Sequence, residues 1–181
     1  DIVLGTDNNS LLVGLGVDIV DASFPVTDSL VFNAPLWHDA LSGASFTSVD
    51  SNLFNAVVTG ATWSSTLGRT FDGFVDNIHI AGNSTLDLPS EITVEYWFNS
   101  SANQNGIVVC RDAVARLWTN FYAPITERMT HEIWQSNGVR RTVPQTGVPP
   151  NEWNHLVMVA DGSVLRVYRN GVLFGTTKAY H

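Results

Sequence analysis

The 181 residues carry 17 acidic and 9 basic side chains, a formal net charge of −8, which argues against a nucleic-acid ligand because phosphates would be repelled. With 44% hydrophobic and 14% charged residues, the chain is too apolar for a disordered segment and long enough for the core of one domain. Cys110 is the single cysteine, so no disulfide forms within the chain, and no apolar run approaches the ~20 residues of a membrane helix.

In chain order, residues 11–19 read LLVGLGVDI. Leu11, Val13, Leu15, Val17 and Ile19 share one parity, while Leu12, Gly14, Gly16 and Asp18 share the other. This is the pattern of a strand with one apolar face and one thin face. Residues 21–28, with Pro25, read as a turn segment. Residues 29–37 read as a strand interrupted at Pro35, 38–52 as a loop, and 53–63 as containing one short strand. RTFDGFVDNIHI (69–80) reads as strand, tight Asp72-Gly73 turn, strand. In EITVEYWFN (91–99), Ile92, Val94, Tyr96 and Phe98 alternate with Thr93, Glu95 and Trp97, as in a half-buried strand. GIVVC, ARLWTNFY and HEIWQSNGVRRTV follow. No stretch sustains a helical period, so the expected class is all-β, a sandwich or jelly roll. The start at Asp1 without methionine reads as a processed chain or a fragment, a cleaved secretion signal being one route.

The densest signal lies in residues 151–177, where Asp161-Gly162 and Asn170-Gly171 separate three apolar-rich runs. Both dipeptides predict type I′ hairpins, whose two central residues need positive φ. The expected meander pairs Val159 with Val164, Met158 with Leu165, Leu156 with Val167 and His155 with Tyr168. In the second hairpin it pairs Tyr168 with Leu173 and Val167 with Phe174. Leu156, Met158, Leu165, Val167 and Phe174 then share a core face, opposite Trp153, His155, Val157, Arg166 and Tyr168. Trp153, His155, Arg166 and Tyr168 are candidate ligand contacts, joined by Glu95 and Trp97 if their strand lies in the same sheet. Aromatic faces beside planar polar groups suit the mixed C–H and hydroxyl surface of a sugar. The competing reading is packing under a loop, since Val157, Val159, Val164 and Leu173 share that face. Asp72, Asp76 and Asn77 form the best cluster of oxygen donors, and calcium is the cation such a set would take. No Glu-x-Asp-x-x-Glu pattern provides the paired carboxylates of a glycosidase, and no Cys/His metal spacing or phosphate-binding glycine loop is present, so the chain reads as non-catalytic.

RTFDGFVDNIHI, LDLPSEITVEYWFN and NEWNHLVMVADGSVLRVYRNGVLFG, in that order and spacing, resemble the LamG-like domains of the concanavalin A-like superfamily. PLWHDALSGASFTSVD resembles the opening of such domains in phage and bacterial surface proteins. The resemblance covers roughly residues 30 to 175. It implies a jelly roll of two antiparallel sheets that binds glycans, proteins or calcium. Domains of this kind usually run on after the Asn-Gly hairpin to a closing strand beside their first one, and residues 1–28 lie before their usual start. The expected organisation is therefore an N-terminal extension, 1–28, with one strand open to exchange with a neighbour, and a jelly roll, 29–181, short of its closing strand. The expected function is an extracellular or virion-surface module recognising a glycan or a surface protein. The alternative is a structural subunit of a filament, capsid or surface layer joined by strand exchange. A homo-oligomer or larger assembly, without nucleic acid or membrane insertion, fits both.

Overall fold

The computed structural model describes residues 2–4, 9–12, 32–86, 91–101, 105–111, 118–134 and 139–176, with 2–4 and 9–12 described by their strand pairing. In chain order the described strands are β1 (Ile2–Leu4), β2 (Asn9–Leu12), β3 (Ser45–Thr47), β4 (Asn55–Thr59), β5 (Thr62–Ser64), β6 (Gly68–Thr70), β7 (Asn77–Ile80), β8 (Glu91–Ser100), β9 (Gly106–Arg111), β10 (Trp118–Ala123), β11 (Arg128–Trp134), β12 (Arg140–Thr146), β13 (Trp153–Asp161), β14 (Leu165–Arg169) and β15 (Val172–Thr176). Helix among the described residues is limited to the 3-10 turns Asp39–Leu41, Ser84–Leu86 and Pro124–Thr126. The strands pair antiparallel into two sheets, ordered β12-β11-β10-β9-β1-β7-β4-β3 and β15-β14-β13-β8-β2-β6-β5. The fold is an all-β sandwich of two antiparallel sheets, consistent with the expected jelly roll.

Alternation builds the core. Tyr96 and Phe98 of β8, Leu156 and Met158 of β13, and Leu165 and Val167 of β14 are all buried. They meet Tyr122 of β10, Met129 and Ile133 of β11, and Val143 of β12 from the other sheet. The Phe98 and Tyr122 rings cross edge-to-face with centroids 5.2 Å apart, a favoured aromatic geometry. The Tyr122 hydroxyl donates to the Val148 carbonyl at 2.7 Å and ties residues 147–150 to the sheet. Because successive side chains alternate, burial of Tyr96 and Phe98 sends Glu95 and Trp97 to the outward face.

The meander follows its expected faces with two changes of register, one in each hairpin. Asn170 and Gly171 both have positive φ, 49° and 79°, as the type I′ turn requires, and Tyr168 pairs with Leu173. A bulge then replaces the expected Val167–Phe174 pair by Val167–Gly175. Gly175 lies against β12; a Cβ there would come within 1.9 Å of Gln145 Nε2. In the first hairpin only Gly162 has positive φ, 80°. Asp161 Oδ1 instead accepts from the Ser163 and Val164 backbone N–H groups, at 2.9 and 2.8 Å. The loop is longer by two residues as a result, and Ala160 pairs with Leu165, Met158 with Val167 and Val157 with Tyr168. A slip of two preserves parity, so Leu156, Met158, Leu165 and Val167 keep the core face.

Three further expectations change. Described residues 32–37 form no strand. Residues 53–63 give two strands, β4 and β5, which lie in different sheets and are separated at Gly60, φ 75°. RTFDGFVDNIHI is no hairpin, because β6 and β7 also belong to different sheets and the Asp72 turn carries the chain between them. Of the N-terminal strand expected over 11–19, only Leu11 and Leu12 are described, as the end of β2 between β8 and β6, while 13–19, including Val13, Leu15, Val17 and Ile19, lie outside the described residues. Ahead of it, β1 lies between β7 and β9.

Candidate functional site

β8 and β13 are neighbours, and this brings the two parts of the candidate face together. His155 stands in register with Trp97, Val157 with Glu95, Val159 with Thr93 and Trp153 with Asn99. On the far side of β13, Val157 faces Tyr168 and Val159 faces Arg166. The outward surface thus carries a row Leu173–Tyr168–Val157–Glu95 beside the pair His155–Trp97.

The His155 and Trp97 rings stack, with centroids 4.6 Å apart and planes 19° from parallel. His155 Nε2 lies 2.8 Å from Glu95 Oε1, with side-chain exposures of 19% and 31%, so the contact is half-buried and still reachable from solvent. Asn170, in the hairpin turn, locks the strand beside it: its Oδ1 accepts from the His155 backbone N–H at 3.0 Å, and its own N–H donates to the His155 carbonyl at 2.9 Å. The imidazole is therefore held by a ring on one side and a carboxylate at its edge. Leu173 is 54% exposed and extends the apolar part of the surface.

Arg166 is engaged elsewhere. Its guanidinium pairs with Asp161 Oδ2 at the hairpin tip. That hydrogen bond, with the turn N–H groups, holds the Asp161 carboxyl below the usual carboxylate range and raises the Arg166 pKa. Trp153 is half-buried at the end of β13, opposite Asn99. Asn170 and Asp161 were not among the sequence candidates. Asn154 was also overlooked, although it breaks the apolar parity of β13: it is fully buried, donates to the Pro149 and Glu152 carbonyls, and accepts from Arg169 Nε at 2.8 Å.

The oxygen cluster serves its own turn. Asp72 Oδ1 accepts from the backbone N–H groups of Phe74, Val75 and Asp76, chiefly Phe74, which holds its pKa down. Asp76 Oδ2 accepts from the Asp72 N–H at 2.9 Å, and Asn77 Nδ2 donates to the Val75 carbonyl. Among the described residues no group of three or more His, Cys, Asp or Glu side chains is placed to hold a metal ion.

His131 is fully buried on the inner face of β11, with Nδ1 against Asn120 Oδ1, and burial drives its pKa down to about 3. Cys110 is buried on β9 in register with Thr119, and His155 lies on the other sheet, away from both Cys110 and His131.

No curated protein matches the sequence. The family model described as the concanavalin A-like lectin/glucanases superfamily, Laminin_G_3, matches residues 78–181, which hold β8 to β15 and nearly all of β7. That match spans more than half of the 181 residues and includes both strands of the His155–Trp97–Glu95 cluster, so the chain belongs to the laminin G-like branch of the concanavalin A-like lectin/glucanase superfamily.

Proposed function

We propose that this chain is a non-catalytic recognition module that binds a glycan, outside the cell or on a virion surface, through the outward face of β8, β13 and β14. The observation that carries the reading is the Trp97–His155 stack with Glu95 at its edge and Tyr168 one row away. An aromatic plate accepts the C–H face of a sugar ring, while a carboxylate and an imidazole N–H meet hydroxyls. The family supports it: laminin G-like domains commonly mediate binding and are typically extracellular. The spacing of carboxylates supports a non-catalytic role. Glu91 and Glu95 share the outward face of β8 but sit four residues apart, about 13 Å along a strand. Glycosidase pairs need roughly 5–9.5 Å.

The test is a glycan array with the unaltered protein, followed by titration of any hit against Glu95→Gln and Tyr168→Ala. Both variants should bind at least about tenfold more weakly while their unfolding midpoints move by less than the equivalent of ~1 kcal/mol. Variants that stay folded and bind like the parent would refute this face as the site, and a protein that binds no glycan would refute the ligand class.

A further inference from the structure

The polar groups of the outward face narrow the class of ligand it can take. β8, β13 and β14 carry two permanent cations, Arg166 and Arg169. Both are occupied: Arg166 by Asp161, and Arg169 by the Asn154 side chain, Glu152 and the Gly147 carbonyl. His155 Nε2 faces a carboxylate, so the proton of the neutral ring sits there, against Glu95 Oε1, and Nδ1 is left as an acceptor. A second N–H is present only on the protonated ring. Among the described residues Glu95 has no partner besides His155, and its Oε2 is open. Glu91, on the same face of β8, is exposed and adds a second negative charge. The row Tyr168–Val157–Glu95 crosses three strands, which puts its ends about 10 Å apart, two strand spacings. Val157 has the shortest side chain of the three and forms a floor between the phenol and the carboxylate.

We infer that the sugar bound here carries a free ammonium group: an amino sugar whose N–H donors go to Glu95 Oε2 while its C–H face lies over Val157 and against the Tyr168 ring. This rests on the glycan reading and names its ligand class. An ammonium offers three donors and no acceptor, the complement of a site whose arginines are engaged and whose carboxylate is open. Its bond to Glu95 is charge-assisted, roughly twice as strong as that of a neutral hydroxyl. A uronate or sulfated sugar brings negative charge to a face where, among the described residues of β8, β13 and β14, both arginines are taken. The net charge of −8 also opposes its approach from a distance.

The test is calorimetric titration of the unaltered protein with β-1,4-linked tetramers of glucosamine, N-acetylglucosamine and glucuronate, and with spermine, which has ammonium groups without sugar rings. The pH is about 6, where amines are protonated, and the salt about 0.15 M, which screens long-range attraction. The glucosamine tetramer should bind at least about tenfold more tightly than the N-acetyl tetramer or spermine, and the glucuronate tetramer should not bind. Glu95→Gln keeps the side-chain volume and removes the charge, and it should bring the glucosamine tetramer to the level of the N-acetyl one. Equal binding of those two tetramers by the unaltered protein would overturn the ammonium and leave a glycan site in place. So would tighter binding of the N-acetyl or glucuronate tetramer, or a preference that survives in folded Glu95→Gln. Spermine binding as tightly as the glucosamine tetramer would show charge attraction alone and overturn the inference. If no tetramer binds but an array glycan without an amine does, the amino sugar is refuted and the glycan reading stands. A protein that binds no sugar in either experiment removes both.

Discussion

Tyr122→Phe isolates one buried hydrogen bond. Tyr122 and Val148 are both fully buried, and the phenol donates to the Val148 carbonyl at 2.7 Å. Phenylalanine keeps the ring against Phe98 and opens no cavity of consequence. What is lost is the net worth of one hydrogen bond, with the carbonyl left unsatisfied, about 2 kcal/mol in all. For a chain of this length that lowers Tm by roughly 4–8 °C. Urea unfolding at pH 7, followed by tryptophan fluorescence, measures it. A loss below ~0.5 kcal/mol would mean that residues 147–150 are not held by this bond. The pH dependence gives a second check. Burial first, and then the negative charge of Glu127, push the Tyr122 hydroxyl up to about 12, while the unfolded chain titrates near 10. The folded state keeps its proton longer, so this contribution is complete below pH ~10 and is lost as pH rises toward 12. The parent's advantage over Tyr122→Phe should shrink across that window. Tyr96, whose hydroxyl is also raised by burial, is present in both proteins and cancels. A difference that stays flat from pH 7 to 12 would refute the argument.

His131 is held neutral, its pKa lowered by burial to about 3 against an unfolded value near 6.5; its stabilising contribution is complete above pH 6.5 and is lost as pH falls toward 3, so the parent should lose about 2 kcal/mol relative to His131→Gln between pH 7 and 5. Paired denaturant titrations at the two pH values check this, and parallel losses would count against it. Gly60→Ala should cost at least about 2 kcal/mol by urea unfolding, because φ is 75° and the new Cβ would lie 1.7 Å from Asp76 Oδ1; a loss below ~1 kcal/mol would show that Asp76 moves aside.

Local chemistry was legible in the sequence, and adjacency between distant segments was not. Asn170-Gly171 fixes its own turn, so the Tyr168–Leu173 pair follows directly. Asp161-Gly162 looks equivalent, yet the Asp161 carboxylate caps the Ser163 and Val164 N–H groups and lengthens the loop. The faces survive only because the slip is even. Parity alone sends Glu95 and Trp97 outward, but that β8 lies beside β13, with Glu95 at His155 Nε2, joins residues sixty positions apart. Arg166 was legible as outward-facing, but its engagement by Asp161 depends on the longer loop. The division of β6 and β7 between two sheets has no local signature at all, since a Phe-Asp-Gly turn can close a hairpin or carry a chain across a sandwich.

Arg69 is 2% exposed in β6, and its guanidinium donates to the carbonyls of Ala61, Leu41 and Gly43. A carbonyl is common to every amino acid. An anchor whose hydrogen bonds all go to main chain places no demand on the exposed side chains of the held loop. At the exposed positions Asp39, Ala40 and Ser42 the surface can therefore change its chemistry while the path of the loop stays set, with Leu41 buried in the core as its second fixed point.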